Sequence, residues 1–360
     1  MPKIIFTGGG SAGHITLNLA LIPYFIDRGW QIFYIGSQGG MEEELIKKYP
    51  SVKYHSILTG KLRRYFSLQN ILDMVKIPIG CVQAMYLIHK INPDIIFSKG
   101  GFVSFPVVIG GFLNRKKIFM HESDITPGLA NKMSLPFVST FFTTFEETIN
   151  TIKHKNKVQC VGPVLSSRLF DGNKEQGAKF AHLCDNKPTI MFIGGSLGAQ
   201  SLNNAVAQNL SQLLKKYQVI HIAGKNGYNP QLKREGYQQY EYVDTELKDL
   251  MALADVVISR AGSNSIFELA SLNKPMILVP LPNTSSRGEQ TLNAKNFVAK
   301  GYAEMISDTD VAKPEILLPL IDKVYEFRQQ YQQQMREKPV KITTAEKLSS
   351  QLAAHIIKSE

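Results

Sequence analysis

Three groups of residues have types and spacings that could do chemistry. In residues 4–20, IIFTGGGSAGHITLNLA, an apolar run meets Gly8, Gly10 and Gly13 in the spacing G-x-G-x-x-G, with His14 directly behind. Glycine lets backbone N–H groups approach a phosphate, and the N-terminus of a following helix adds a favourable dipole. The turn therefore suits a phosphate or pyrophosphate, and the plainer alternative is a turn that only needs tight packing. His14 is expected to open the helix, where the dipole disfavours imidazolium and keeps the ring able to accept a proton. That suits a general base, although a polar residue that simply begins a helix reads the same way.

A second strand–glycine–helix signal, TIMFIGGSLGAQSLNNAV, begins at Thr189. The third group is SRAGSNSIFELA from Ser259, in which a helix starting near Ser263 carries Glu268 one or two turns inside. A carboxylate there can accept two hydrogen bonds from a vicinal diol such as a ribose. Ser265 and Glu268 equally fit S-x-x-E, the capping box that closes its own helix. Nicotinamide dinucleotides need an acid about 20 residues beyond the first turn, at the end of the second strand. Here that strand, QIFYIGSQGG, ends in Ser37 and Gln38. The first turn is thus expected to hold something other than NAD.

Elements must position these groups. Short β-rich runs alternate with helical segments: KIIFTG and a helix from about His14 to Asp27, QIFYIGS before GMEEELIKKY, PDIIFSKGG before SFPVVIGGFL, KKIFMHES before PGLANKMSL, then TFFTTFEE. The stretch CVGPVLSSRLFDGNKEQG from Cys160 has the Gly, Ser and charge content of a linker. Beyond it come YQVIHIAG, YEYV before LKDLMALA, DVVISRAG before SIFELASL, and PMILVPLP. Such alternation predicts βαβ units, parallel sheets and an α/β class, here as two Rossmann-like domains in tandem. The end of the chain, AEKLSSQLAAHIIKS, reads as an amphipathic helix from about Thr344.

Composition bounds the rest. At 360 residues, two domains are the natural expectation. Hydrophobic residues at 44% and charged residues at 20% exclude a disordered or fibrous chain. The net charge of +11 suits an anionic partner. Cys81, Cys160 and Cys184 form no C-x-x-C and are expected as reduced thiols of a cytosolic protein, with no metal site. With a strand expected directly after Met1, no signal peptide is expected in this sequence. The longest apolar stretch, FVSFPVVIGGFL, is shorter than the ~20 residues of a membrane-spanning helix.

Taken in order, GGGSAGH (8–14), SKGGFVS (98–104), HESDITPGLANK (121–132), GGSLGAQSLN (194–203), SRAGSNSIFE (259–268) and RGEQTLNA (287–294) resemble the MurG family, the N-acetylglucosaminyltransferases of peptidoglycan synthesis. The resemblance implies a GT-B fold, two Rossmann-like domains with parallel sheets facing an interdomain cleft. It implies 1–162 as an acceptor and membrane-facing domain, 163–340 as the UDP-GlcNAc domain, and 341–360 as a helix packing back on the first domain. The implied reaction is inverting transfer of N-acetylglucosamine from UDP-GlcNAc to the 4-hydroxyl of the muramoyl sugar of lipid I. No cofactor or structural metal is implied.

By position, the resemblance puts Ser196 on the diphosphate, Val243 with Ser263 and Asn264 on the uridine, Glu268 on the ribose and Gln290 on the transferred sugar. Ser11, Ala12 and Gly13, with Gly9, Gly10, Gly100 and Gly101, would serve the acceptor diphosphate. His14 leads as the catalytic base, with Glu122 and Asp124 as alternates. Three departures stand out: Ser11-Ala12-Gly13-His14 replaces the family's T-G-G-H, and Asp124 stands where many members have Asn. Ser166 occupies the place of a family arginine, with Arg168 two residues on.

A lipid-borne acceptor implies a peripheral protein at the cytoplasmic face of the cell membrane. Lys61, Arg63, Arg64, Phe66 and Ile71 combine basic and apolar groups suited to an anionic membrane surface; a core-facing helix with a solvated basic end is the alternative. Other cell-wall synthesis proteins are further partners the resemblance suggests. The triplet Asp308-Thr309-Asp310 is read as helix capping, not metal binding. A UDP-GlcNAc 2-epimerase is the rival enzyme class, and it would not need the segment near residue 60 or the loop at 98–104. Nucleic acid is not expected, because positive charge is its only support.

Overall fold

The structure is a computed structural model that describes residues 1–10, 12–60, 68–184, 187–195, 198–282 and 288–357. Two units emerge, Met1–Val164 with Ile342–Glu360, and Leu165–Lys341.

Among the described residues, the first unit holds β1 (Lys3–Thr7), β2 (Gln31–Ser37), β3 (Val52–Ile57), β4 (Ile95–Ser98), β5 (Lys117–Glu122), β6 (Thr140–Thr143) and β7 (Val158–Cys160). They form one sheet in the order β3-β2-β1-β4-β5-β6-β7, parallel throughout. Parallel strands are covered on both faces, which is why KIIFT and QIFYIGS read as nearly unbroken apolar runs. Alternate side chains feed separate cores. Ile4 and Phe6 join Tyr34, Phe97 and Phe25 on one face, while Ile5 joins Phe33, Ile96 and Ile118 on the other. Edge-to-face rings of Phe6 with Phe25 and Phe97 lock the first face.

The helix Ala345–Ile357 belongs to this unit. Its Leu348 and Leu352 are fully buried among Ile4, Phe6, Leu21 and Phe25. At its entry, Thr343 N–H donates to the Pro163 carbonyl at 2.9 Å, and Val164 pairs with Thr343 in a parallel bridge.

The second unit holds β8 (Thr189–Ile193), β9 (Gln218–Ile222), β10 (Tyr237–Tyr240), β11 (Val256–Ser259), β12 (Met276–Leu278) and β13 (Ala303–Met305), in the parallel order β10-β9-β8-β11-β12-β13. Its core packs Phe192, Val219, Val256 and Ile258 against Leu202, Val206, Leu317 and Ile321 from the helices Gln200–Lys216 and Pro314–Glu326.

Three sequence expectations need correction, and a fourth segment is extended. The first α-helix spans Thr16–Asp27, and His14 lies before it in the 3-10 turn Ala12–His14, so the carbonyl ladder starts two residues late. β10 is Tyr237–Tyr240, with the stretch Glu241–Val243 running on as a loop. The segment read as a linker opens with Cys160 still in β7, and its NKEQG end begins the helix Lys174–Ala181. The segment around Ile71 belongs to a long helix, Leu68–Ile91, that contains Pro78.

Candidate active site

In an open parallel sheet the crevice for a ligand lies beyond the carboxyl ends of the strands where the strand order reverses. In the first unit that point falls between β1 and β4. The loop after β1 carries Gly8–Gly10 and His14, the loop after β4 carries Lys99–Gly101, and the neighbouring β5 ends in Glu122 with Ser123 and Asp124 in the loop after it.

These loops touch. Gly101 has φ +84°, and a methyl group on it would strike the Gly9 carbonyl and stand 3.2 Å from His14 Cδ2. Gly10, at φ +83°, leaves room in the same way for the Phe102 ring. Only glycine takes these backbone angles without strain. The close approach is what brings Gly9, Gly101 and His14 together. Gly13 is exposed, with nothing within 4 Å of an added methyl group. Ser11 lies outside the described residues, as does the side chain of Ala12.

Glu122 is 3% exposed and its carboxylate is saturated. Oε1 accepts from the N–H groups of Ser123 (2.9 Å) and Asp124 (3.1 Å). Oε2 accepts from Gly128 N–H (3.0 Å) and Asn131 Nδ2 (2.9 Å). Such a carboxylate shapes a loop and has no lone pair to spare for a substrate proton, so Glu122 leaves the set of candidate bases. The same Asn131 amide stands where a side chain on Gly100 would clash.

Lys99 is a residue that the motif reading passed over. It is 3% exposed, its Nζ lies 3.1 Å from His121 Nδ1, and it donates to Ser123 Oγ. Burial lowers its pKa, partly offset by the negative charges of Glu122 and Asp124. Burial, and then the Lys99 ammonium, hold His121 well below the usual imidazole range. Its Nδ1 therefore accepts the lysine proton. A lysine inside the run PDIIFSKGG was the available signal.

Glu42, the acid that follows β2, is fully buried. Oε1 accepts from Ser37 N–H (2.9 Å) and Ser37 Oγ (2.5 Å), and a methyl group on Gly9 would stand 2.6 Å from the carboxylate. It lies packed under the glycine turn and against Ser37, the last residue of β2.

In the second unit the order reverses between β8 and β11. Gly194 and Gly195 follow β8 and lead to the helix Gln200–Lys216; Ser196 is outside the described residues. After β11, Gly262 is the N-cap of the helix Ser263–Ser271, with no side-chain cap. Ser263 is buried and Asn264 exposed at its first turn. Ser265 is thus the third helical residue, not the cap, and the capping-box reading of Glu268 fails.

The Glu268 carboxyl has no hydrogen-bond partner among the described residues, and burial pushes it up to about 7 although the residue keeps some solvent exposure. An unpartnered carboxylate beside a switch point can accept hydrogen bonds from ligand hydroxyls.

Arg260 ties this site together. One guanidinium nitrogen donates to Asp308 and to the Val279 carbonyl (3.1 Å), and the other to Ser201 Oγ (2.8 Å), which donates to Asp308 at 2.5 Å. The turn before the Glu268 helix is thereby pinned to the first turn of the helix behind Gly194–Gly195. Asp310 instead pairs with Lys313 (2.7 Å) and Ser307. The helix Pro314–Glu326 has Lys313 at its cap position, so neither aspartate caps it. Among the described residues no three His, Cys, Asp or Glu side chains group as metal ligands.

Val243 is buried just after β10. Gln290, in the helix Glu289–Ala299, accepts from Leu281 N–H at 3.1 Å. Ser166 and Arg168 are exposed, and Arg168 belongs to the 3-10 turn Ser167–Asp171, whose Asp171 carbonyl accepts from Lys248 of the helix Leu247–Leu253. Lys61, Arg63, Arg64 and Phe66 lie outside the described residues, as does the side chain of Ile71.

The helix Leu68–Ile91 nevertheless shows what the sequence reading missed. Val75, Ile79, Val82 and Tyr86 recur at one-face helical spacing and are all exposed, Val82 at 61% and Tyr86 at 64%. The helix Ser104–Leu113 packs beside it, Asn114 Nδ2 donating to the Met85 carbonyl at 3.0 Å, and exposes Phe112 and Leu113. No helix of the described residues is long and apolar enough to cross a membrane.

Comparison with known proteins agrees with this arrangement. Residues 4–143 match the glycosyltransferase family 28 N-terminal domain, and residues 189–352 the glycosyltransferase family 28 C-terminal domain. A Bacillus cereus protein named UDP-N-acetylglucosamine--N-acetylmuramyl-(pentapeptide) pyrophosphoryl-undecaprenol N-acetylglucosamine transferase 2 is 50% identical over 88% of this chain and 90% of its own. A Clostridium tetani protein named as the same transferase is 47% identical over 94% of each. The crystal structure of Acinetobacter baumannii MurG superposes with a TM-score of 0.77 over 98% of this chain and all of that one; at 20% identity it speaks for the GT-B α/β fold. The chain belongs to glycosyltransferase family 28, within the MurG group of N-acetylglucosaminyltransferases.

Proposed function

We propose that this chain transfers N-acetylglucosamine from UDP-GlcNAc to the 4-hydroxyl of the muramoyl sugar of lipid I, releasing UDP and forming lipid II with inversion at the anomeric carbon. The observation that carries the reading is near-half identity with transferases of that name through both units at once. An epimerase would share the folds and not that identity.

The second unit binds the sugar nucleotide. Glu268 takes the ribose hydroxyls, Val243 and the start of the Ser263–Ser271 helix take the uracil, Ser196 and the glycine turn take the diphosphate, and Gln290 takes the sugar. The first unit binds the acceptor diphosphate on the turns Gly8–Gly13 and Gly100–Gly101. His14 removes the proton of the 4-hydroxyl as its oxygen attacks the anomeric carbon. The bond to UDP breaks, and the leaving diphosphate keeps the electron pair. Fixed N–H groups and a helix dipole stabilise that charge, each such donor being worth ~3 kcal/mol in the barrier.

The protein approaches its lipid-borne substrate from the cytoplasmic side and rests on an anionic bilayer. Support comes from the apolar stripe Val75, Ile79, Val82 and Tyr86 and from the exposed bases Arg115 and Lys132 beside Leu113 and Met133. The deciding experiment is a transfer assay with lipid I and labelled UDP-GlcNAc. Label appearing in lipid II supports the reading; label that stays in the nucleotide pool, or epimerised sugar, overturns it.

A further inference from the structure

We propose that Asp308 is a positioning residue of the sugar-nucleotide site: through Arg260 and Ser201 it sets the distance between the helix that carries Glu268 and the helix behind Gly194–Gly195. The proposal rests on the reading of the second unit as the donor site.

Arg260 follows β11 directly, two residues before the N-cap Gly262 of the helix Ser263–Ser271. The fork of an arginine suits a phosphate, but here its donors are committed within the protein. Nη1 donates to the Val279 carbonyl (3.1 Å) and to Asp308 Oδ1, and Nη2 donates to Ser201 Oγ (2.8 Å). Nε is buried and has no hydrogen-bond partner among the described residues. This guanidinium therefore serves the framework of the site and not its ligand.

Asp308 closes the network. Its Oδ1 accepts from both the Arg260 guanidinium and the Ser201 hydroxyl (2.5 Å), and its charge balances the arginine. Each member sits on a different element: Ser201 in the first turn of the helix Gln200–Lys216, Val279 next after β12, and Asp308 in the loop after β13. Two residues past Val279, Leu281 N–H donates to Gln290 (3.1 Å). The groups assigned to the ribose, the diphosphate and the transferred sugar are thus anchored through one arginine. A nucleotide sugar must meet both helix starts at once, so it loses affinity when their spacing relaxes. Uridine alone meets Val243, Glu268 and the start of the Ser263–Ser271 helix, and does not sense that spacing. Asp310, the other acid of the triplet, pairs with Lys313 and Ser307 and takes no part.

The experiment compares binding of UDP-GlcNAc and of uridine to the full chain, uridine being read by competition. Asp308→Ala should weaken UDP-GlcNAc about tenfold and leave uridine unchanged. Ser201→Ala keeps the ion pair and cuts the link to the diphosphate helix, so it should weaken UDP-GlcNAc about threefold to tenfold, again without effect on uridine. Because both substitutions break one connection, the double variant should bind no worse than Asp308→Ala alone. A merely structural aspartate would weaken both ligands together. If Asp308→Ala does not fold, Ser201→Ala decides. Parental UDP-GlcNAc affinity in either single variant, a loss shared equally by uridine, or fully additive losses in the double variant each overturns the proposal. A parent protein that binds neither UDP-GlcNAc nor uridine removes the donor-site reading itself, which separates the two failures.

Discussion

The His14 ring lies against Gly101, so closely that a methyl group on Gly101 would stand 3.2 Å from His14 Cδ2. The turn after β1 and the turn after β4 therefore share one wall. Gly101→Ala should displace His14 and force a non-glycine residue to φ +84°, costing about 1–3 kcal/mol of stability. His14→Ala should lower kcat by ~10²–10⁴ with the UDP-GlcNAc KM little changed. Steady-state kinetics check both, and unaltered turnover in His14→Ala would remove it from the role of base.

Glu268 gives a pH signature. Its carboxyl is pushed up to about 7 by burial, above its unfolded value of 4.5. The native chain therefore holds the extra proton between these values, and the group costs stability as pH rises through that window, fully so above about 7. A ribose diol donates to the ionised form, so donor affinity should fall as pH drops below about 7. Glu268→Gln should weaken UDP-GlcNAc by ~1.5–3 kcal/mol, abolish that slope, and raise the melting temperature at pH 8. Calorimetry at pH 6 and 8 reads all three; a Gln variant with parental affinity at pH 8 would rule out the ribose contact.

Leu352 is fully buried in the core of the first unit although it stands near the end of the chain. Leu352→Ala should destabilise that unit by ~2–5 kcal/mol. Urea unfolding followed at Trp30, whose ring lies 4.9 Å from Phe25 in that core, is the measurement. A loss below ~1 kcal/mol would mean that the helix is not part of the fold.

Val82 and Tyr86 should bind lipid through apolar burial. Replacing both by Glu should release the protein from vesicles of anionic phospholipid in a flotation assay, while transfer to a water-soluble acceptor analogue stays near parental. Reversing Arg115 and Lys132 to Glu should weaken binding further, by about 1 kcal/mol for each basic residue lost near the surface. Undiminished flotation would point to another membrane-facing surface.

Much of the fold was legible because the central parallel strands are buried and the glycines that follow them mark turns at both switch points. Glu268 was harder. The sequence S-x-x-E fits a cap equally well, and only the helix start at Ser263 shows that Ser265 is already inside. Lys99 was invisible to motif reading because a lysine's burial depends on its partners across strands, here His121 and Ser123. β10 was shifted towards YEYV because aromatic residues continue past Tyr240, while pairing with β9 ends there. The exposed apolar stripe from Val75 to Tyr86 was passed over because the sequence reading centred on the basic residues near position 61, which lie outside the described residues.

The return of the chain at Thr343 has a consequence for its synthesis. Residues Leu165–Lys341 are contiguous and can close as soon as they leave the ribosome. The first unit must wait, with a gap in its apolar interior, until Leu348 and Leu352 have emerged behind the second.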